Sequence, residues 1–522
     1  MSHAGDAGWH PRASPWLIVA AATLAPFMEI LDTTIVNVSL PYVSGSLSSS
    51  YDDSTWVLTS YLVANGVVLP VAGWVGKLLG RKRYFLICIA MFTICSFLCG
   101  IATSLPELVF FRLLQGLFGG GLQPNQQAIV LDAFEPAQRG RAFSIVAIAV
   151  ILAPVLGPVL GGWITDNYSW RWVFLMNVPV GIVAFAAVAR VVEDPPWVQR
   201  DRARLRDIDY TGIGLIALGL GSLQIMLDRG EDLDWFGSPF IRLMGAFALV
   251  GIAGAVAWLL LTDRPVVELR VLKDRNFGVG VVTISVIGAI LYSSNLLIPA
   301  LSQQWLGYTA LLAGWLLTPG AAAMILLIPL VARFALPNFQ TRHLLAFGFF
   351  VLGASAWVAA DLTPQIDFVS LAIFRAFQTV GLAFLFVPNS TLSYSTLPRR
   401  LNADAAALYS MFRNIAASIA ISVTVAIVQN RTQADRAALA PSLSPLSAPY
   451  AALRARLIET LMAMGHGAAE ARALAMGFLN HTLEVQAAVL AYSEAFVLIA
   501  GLAFAVIPLT FLFRGSVASG GR

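Results

Sequence analysis

Glu29 and Asp32 lie three residues apart in the middle of an apolar run near the N-terminus. In a helix that spacing puts both carboxylates on one face, a turn apart. Charge inside a bilayer costs a few kcal/mol per residue on insertion scales, so it usually marks function. Two carboxylates sharing a poorly hydrated cavity resist double ionisation. Such a pair could take up and release a proton near neutral pH, or hold a cationic substrate. The competing chemistry is structural, with one carboxylate paired to a buried arginine to fix helix packing. Arg112 is the candidate counter-ion, since a guanidinium keeps its proton. It could hold a carboxylate charged, release it when helices move, or simply tie neighbouring carbonyls. Arg375 and Arg413 have no carboxylate close in sequence and read as structural.

Other residues carry weaker signals. The run Ala153-Pro154-Val155-Leu156-Gly157-Pro158-Val159-Leu160-Gly161-Gly162 combines glycines, which let helices approach, with prolines, which kink them. It reads as a gating or close-packing helix. Gln115, Gln123, Asn125, Gln126, Asn295, Gln378 and Asn389 are neutral polar groups inside apolar segments. Each alone suits an interhelical hydrogen bond. Together with Tyr292 they suggest the lining of a polar, mostly uncharged passage. Cys88, Cys95 and Cys99 sit at helical spacing in one apolar segment, which points neither to disulfides nor to a metal site.

These residues need a membrane to position them. Of 522 residues, 58% are hydrophobic and 12% charged. A water-soluble domain has roughly twice that share of charge. The net charge of +4 is scattered and gives no nucleic-acid footprint. Spans need about 20 apolar residues, and fourteen segments qualify: 16–39, 55–76, 84–104, 108–131, 142–164, 172–192, 210–228, 241–261, 277–301, 310–334, 342–360, 366–390, 405–429 and 486–513. Helices are the form lipid permits. The first segment continues through its acids to Pro41, so it reads as a retained span.

Lys and Arg concentrate in alternate connections: Lys77, Arg81, Lys82 and Arg83; Arg139 and Arg141; Arg200, Arg202, Arg204 and Arg206; Arg264, Arg270, Lys273 and Arg275; Arg399 and Arg400. The intervening connections 42–54 and 302–309 contain none. By the positive-inside rule both termini are cytoplasmic. Residues 193–209 read as a cytoplasmic linker, 514–522 as a cytoplasmic tail, and 430–485 as a long outer segment with one or two short amphipathic helices.

The chain also repeats itself. Phe111-Arg112-x-x-Gln115, Pro124-Asn125, Pro136 and Arg139 recur in order as Phe374-Arg375-x-x-Gln378, Pro388-Asn389, Pro398 and Arg400. Two parallel halves give such an offset. The expected fold is all-α and polytopic: a six-helix half at 1–192, a linker with two inserted spans at 193–276 (near 210–228 and 241–261), and a six-helix half at 277–513.

Several stretches resemble the major facilitator superfamily, and within it the fourteen-span drug:proton antiporters of the EmrB/QacA type, nearer to EmrB. They are Phe27 to Pro41, Thr55 to Val63, Arg112-x-x-Gln115-Gly116, Gly157-Pro158-x-x-Gly161-Gly162, Trp170 to Gly181 and Leu490 to Phe496. The resemblance implies alternating access by two bundles, with coupling through Asp32 and Arg112. It implies no cofactor, a bacterial inner-membrane location, and a periplasmic adaptor with an outer-membrane channel as partners. The loop motif Gly-x-x-x-Asp-x-x-Gly-Arg-Lys is matched at Gly73, Gly80, Arg81 and Lys82, but Lys77 stands at its acidic position. The second-half equivalent, around Arg333 to Arg342, is eroded, and Ala416 and Ala417 replace glycines near Arg413.

The function these features predict is proton-coupled export of amphipathic small molecules, with a dedicated exporter of one siderophore, lipid or amphipathic acid as the alternative. No nucleophile–base pair, metal-ligand cluster or phosphate loop favours an enzyme.

Overall fold

The computed structural model describes residues 11–196, 208–443 and 447–514. The linker arginines Arg200 to Arg206 and residues 515–522 lie outside the described residues. In chain order the helices are α1 (Pro15–Ser46), α2 (Tyr51–Ser54), α3 (Trp56–Leu79), α4 (Arg81–Ile101), α5 (Leu105–Gly119), α6 (Leu122–Ala133), α7 (Pro136–Asn167), α8 (Arg171–Leu175), α9 (Asn177–Val191), α10 (Tyr210–Arg229), α11 (Pro239–Leu261), α12 (Arg275–Gln304), α13 (Ala310–Leu330), α14 (Leu336–Asn338), α15 (Thr341–Val358), α16 (Phe368–Ala383), α17 (Phe386–Ser393), α18 (Asn402–Leu439), α19 (Ala448–Ala463) and α20 (Ala468–Thr510).

Among the described residues, thirteen helical segments are each long and apolar enough to cross a bilayer. The fourteenth crossing is jointed, with α5 and α6 meeting at Gly120 and Gly121. Backbone bonds from Gly120 N to Gly116 O (3.0 Å) and from Asn125 N to Gly121 O (3.3 Å) carry the helical path through the joint. The glycines are there because of what lies beside them. A Cβ at Gly120 would sit 2.7 Å from the Asn65 carbonyl oxygen, and one at Gly116 would overlap the Tyr61 carbonyl. Bare backbone lets α5 lie directly on α3, which brings Arg112 and Gln115 into the interior.

The repeat read from the sequence is also a repeat of packing. In the first half α1 packs along α7, α3 along α5, and α4 along α9. In the second half α12 packs along α18, α13 along α16, and α15 along α20. The halves meet through α3 against α18 and α7 against α13. The inserted helices α10 and α11 pack on each other, and α10 also lies against α3 and α18.

One end of the molecule, here the terminal face, gathers Arg12 beside Glu193, Asp194 beside Lys82, and Arg514 beside Asn276. The opposite, distal face carries Asp166 and the connection after α10. There the structure has one short helix within the expected outer segment, and the rest of that segment lengthens its neighbours. Residues 430–439 simply extend α18, and 468–485 are the first turns of a 43-residue α20. Only α19 is a separate short helix, with Pro449 in its first turn. At 1.5 Å per residue, helices of 38 and 43 residues run to roughly 57 and 65 Å, far beyond a bilayer core. Arg431–Glu494 (2.9 Å) and Arg436–Glu484 (3.3 Å) join the two projecting stems.

Candidate functional site

Asp32 and Arg112 meet in the interior of the first half, both fully buried, with Arg112 Nη1 donating to Asp32 Oδ2 at 2.6 Å. The pair is held from four helices. Asn177 at the start of α9 donates to Asp32 Oδ1 at 2.7 Å and reaches Ser96 of α4 at 3.0 Å. Gln115 accepts from Arg112 at 2.8 Å and donates to Asp32 at 3.4 Å. Arg112 Nε donates to the Val57 carbonyl at 3.1 Å, and the guanidinium lies 4.3 Å from the Tyr61 ring centroid. A buried ion pair needs this many partners, because desolvation otherwise outweighs attraction.

Glu29, one turn away, is 3% exposed but has fewer partners. Asn65 donates to its Oε1 at 2.9 Å, and its Oε2 has no hydrogen-bond partner. It lines an inner chamber of about 150 Å³ together with Asn65, Gln123 and Tyr292. An outer cavity of about 380 Å³, sharing Tyr61, Gln224 and Tyr292 with the chamber, is lined by Arg112 and by Asp228, Glu231 and Asp232 beyond it. The arrangement can therefore offer one carboxylate locked to a cation and a second free to receive a proton or a cation.

Of the eight residues suggested for a passage, Gln123 and Tyr292 line these cavities. The other six are not among the lining residues and spend their polar groups on packing. Gln115 joins the ion pair as above. Asn125 bonds the Gly121 carbonyl, and Gln126 reaches Thr23 of α1. Asn295 and Gln378 both bind Arg375. Asn389 bonds Gly280 O and Tyr409. Gln123 also accepts from Arg413 across the two halves.

The glycine–proline run lies inside α7. A Cβ at Gly157 would overlap Thr34, and one at Gly161 would sit 3.2 Å from Ile35, so these two glycines seat α7 on α1 beside Asp32. Gly162 has nothing within 4 Å. Pro154 and Pro158 are accommodated within one continuous helix.

At the terminal face, Gly73 abuts the Ala403 carbonyl of α18, with 2.9 Å left for a Cβ. Gly80, at φ +86°, makes the turn between α3 and α4. Arg81 pairs with Asp132, and Asp132 accepts from Asn402 of the second half at 3.0 Å. Lys82 donates to the Ala189 carbonyl at 2.7 Å. Lys77 pairs with Asp404 across the halves.

Sequence reasoning gave no role to Asn177, Asn65, Asp132, Asp404, Gln224 or Asp228. Asn65 and Asn177 were visible as lone amides in apolar segments. The two aspartates needed a fold to show which arginine or lysine faced them.

Two pseudo-repeated helical halves, crossing a membrane around a central cleft with a buried ion pair, make the architecture of a membrane transporter. The chain belongs to the Major Facilitator Superfamily, whose sequence pattern matches residues 22–421. It is 34% identical over 506 residues to "Multidrug export protein EmrB" of Escherichia coli (strain K12), covering 97% of this chain and 96% of that protein. It is equally identical over 511 residues to "Fatty acid resistance protein FarB" of Neisseria gonorrhoeae, covering 98% of each. Among solved structures, that of the human organic anion transporter MFSD10 (TETRAN) superposes with a TM-score of 0.57 at 12% identity, covering 94% of this chain and 99% of the other.

Proposed function

We propose that this chain is a proton-coupled antiporter that exports amphipathic small molecules, drugs among them, across the bacterial inner membrane by alternating access. The observation that carries the reading is the contrast between the two buried acids. Asp32 is tied to Arg112, while Glu29 lines a chamber and has one carboxylate oxygen without a hydrogen bond. Proton and substrate compete for this site, so each displaces the other as the halves rock. The similarity to EmrB supports drug export. Similarity to a protein named for fatty acid resistance keeps an amphipathic acid within the substrate range.

The moving bodies are residues 1–192 and 277–513, with 193–276 as linker and inserted spans. The basic terminal face is cytoplasmic, and the cavity beside Asp228 opens outward. The projecting stems of α18 and α20, with α19, are the docking element for a periplasmic adaptor leading to an outer-membrane channel. Its other partners are small molecules, protons and lipid, and no cofactor is needed.

The test is transport by purified protein in liposomes under an imposed pH gradient, with lumenal pH followed as lipophilic cations, neutral amphiphiles and a fatty acid are added. Substrate-dependent proton movement that disappears in Asp32→Asn is the expected result. Binding without proton movement for every compound would overturn the antiport mechanism.

A further inference from the structure

The inserted helix α10 stands in the cleft between the halves. Its Asp228 accepts from Thr59 of α3, while Ser422 of α18 donates to its Leu227 carbonyl at 2.8 Å. Gln224, one turn deeper, lines both the outer cavity and the inner chamber. Its amide makes no hydrogen bond among the described residues, although it sits where the two spaces join.

The charges lining the outer cavity are mostly acidic, while Arg413 stands behind Gln123 at the inner chamber. Asp228, Glu231 and Asp232 line the outer cavity, and Arg112, the basic residue among its lining, is committed to Asp32. Arg229 pairs with Asp232 at 3.5 Å and stacks toward Trp56. Asp228 has the neutral Thr59, and Glu231 accepts from Trp235 Nε1 at 2.7 Å. Arg229 also acts on Asp228 from the next position in the chain, so the carboxylates outnumber the cations at this end. The path ends on Glu29, a buried carboxylate that lines the inner chamber and whose Oε2 has no hydrogen-bond partner. Low-dielectric walls focus such a field and concentrate ions of opposite sign.

We infer that α10 is a wall of the substrate path, not a spacer between the halves, and that Gln224 and Asp228 on it select lipophilic cations. The large apolar share of the cavity walls takes the hydrocarbon, Gln224 offers an amide oxygen at the junction, and Asp228 supplies the charge preference. This deepens the export reading by naming a substrate class. It requires only that the cleft bind ligand, whatever drives transport.

Tetraphenylphosphonium and tetraphenylborate, alike in size and opposite in charge, provide the test. In Leu227→Cys, on the same α10 wall, a membrane-impermeant maleimide should label the new thiol from the distal face, since Cys88, Cys95 and Cys99 are buried. Tetraphenylphosphonium should slow that labelling and tetraphenylborate should not. Asp228→Asn should weaken tetraphenylphosphonium binding, read by calorimetry without a gradient, by roughly tenfold, the size of one partly solvated charge contact. Equal protection by both ions, no protection at all, or unchanged cation affinity in Asp228→Asn would overturn the inference. Protection in protein that moves no protons would support it while removing antiport, so the two readings fail separately.

Discussion

Asp32 and Asn295 hold matching positions in the two halves, each facing the arginine of a repeated Arg-x-x-Gln pair: Arg112 with Gln115 and Arg375 with Gln378. The first half has a carboxylate there and the second its amide isostere. Arg375 is therefore a buried cation facing an amide oxygen, and its Nε has no hydrogen-bond partner. Asn295→Asp should supply the missing counter-ion. A hydrogen bond to a charged group contributes about 1.5–3 kcal/mol, so the variant should melt at a higher temperature than the parent in detergent. A lower melting temperature would show that the second half does not tolerate the charge.

Arg112→Lys should not be conservative. One guanidinium serves Asp32, Gln115 and the Val57 carbonyl at once and stacks on Tyr61. A lysine offers a point charge without that fork. Breaking a buried pair costs roughly 3–5 kcal/mol, and the weakened pair in this variant should lose a substantial part of that. Thermal unfolding in detergent and proton-coupled uptake should both fall, and parent-like values in both would contradict the geometry.

Lys77 and Asp404 pair across the halves with the lysine side chain 41% exposed. Such a partly solvated contact contributes about 1 kcal/mol or less. That is enough to shift a two-state population by roughly fivefold. Asp404→Asn should open the terminal face, read as a longer distance between spin labels placed on α4 and α15. The swap Lys77→Asp with Asp404→Lys should restore the parent distance. Failure of the swap to restore it would mean that the pair does not hold the face shut.

Gly157 and Gly162 lie five residues apart in α7 but face different surroundings. Gly157→Ala pushes a methyl group into Thr34 and should cost about 1–3 kcal/mol by overpacking, with loss of transport. Gly162→Ala meets open space and should be neutral or gain up to about 1 kcal/mol of helix propensity. Equal effects in thermal shift and uptake would remove the assignment of Gly157 to the α1–α7 seam.

The spans and the repeat were legible because lipid permits little besides helices of bilayer length, and because Arg112 and Arg375 carry the same neighbours in the same order. The Asp32–Arg112 pair was legible for the same reason, since charge in an apolar run has to be compensated. The amides were not. Gln126 and Asn389 look alike in sequence to Gln123, and only the direction of the helix face separates an interhelical bond from a cavity wall. Lys77 read as a broken motif, because the carboxylate that answers it, Asp404, lies on the far half of the chain. Of the outer segment, read as one or two short helices, α19 is such a helix, while the flanking residues extend α18 and α20. The break falls at Gly465, at φ +98°, and beyond it 468–485 join α20 without interruption.

That continuity has a mechanical consequence. The helix that carries Asp404, Arg413 and the cavity residues Ser418 and Ser422 is the same 38-residue α18 that is longer than a bilayer core is thick. With its stem strapped to α20, it acts as a pointer. A tilt of ten degrees about the membrane centre would carry a tip some 30 Å away by roughly 5 Å. Whatever sits on that tip receives the transport cycle as displacement, and a rigid grip on the tip would in turn slow the cycle.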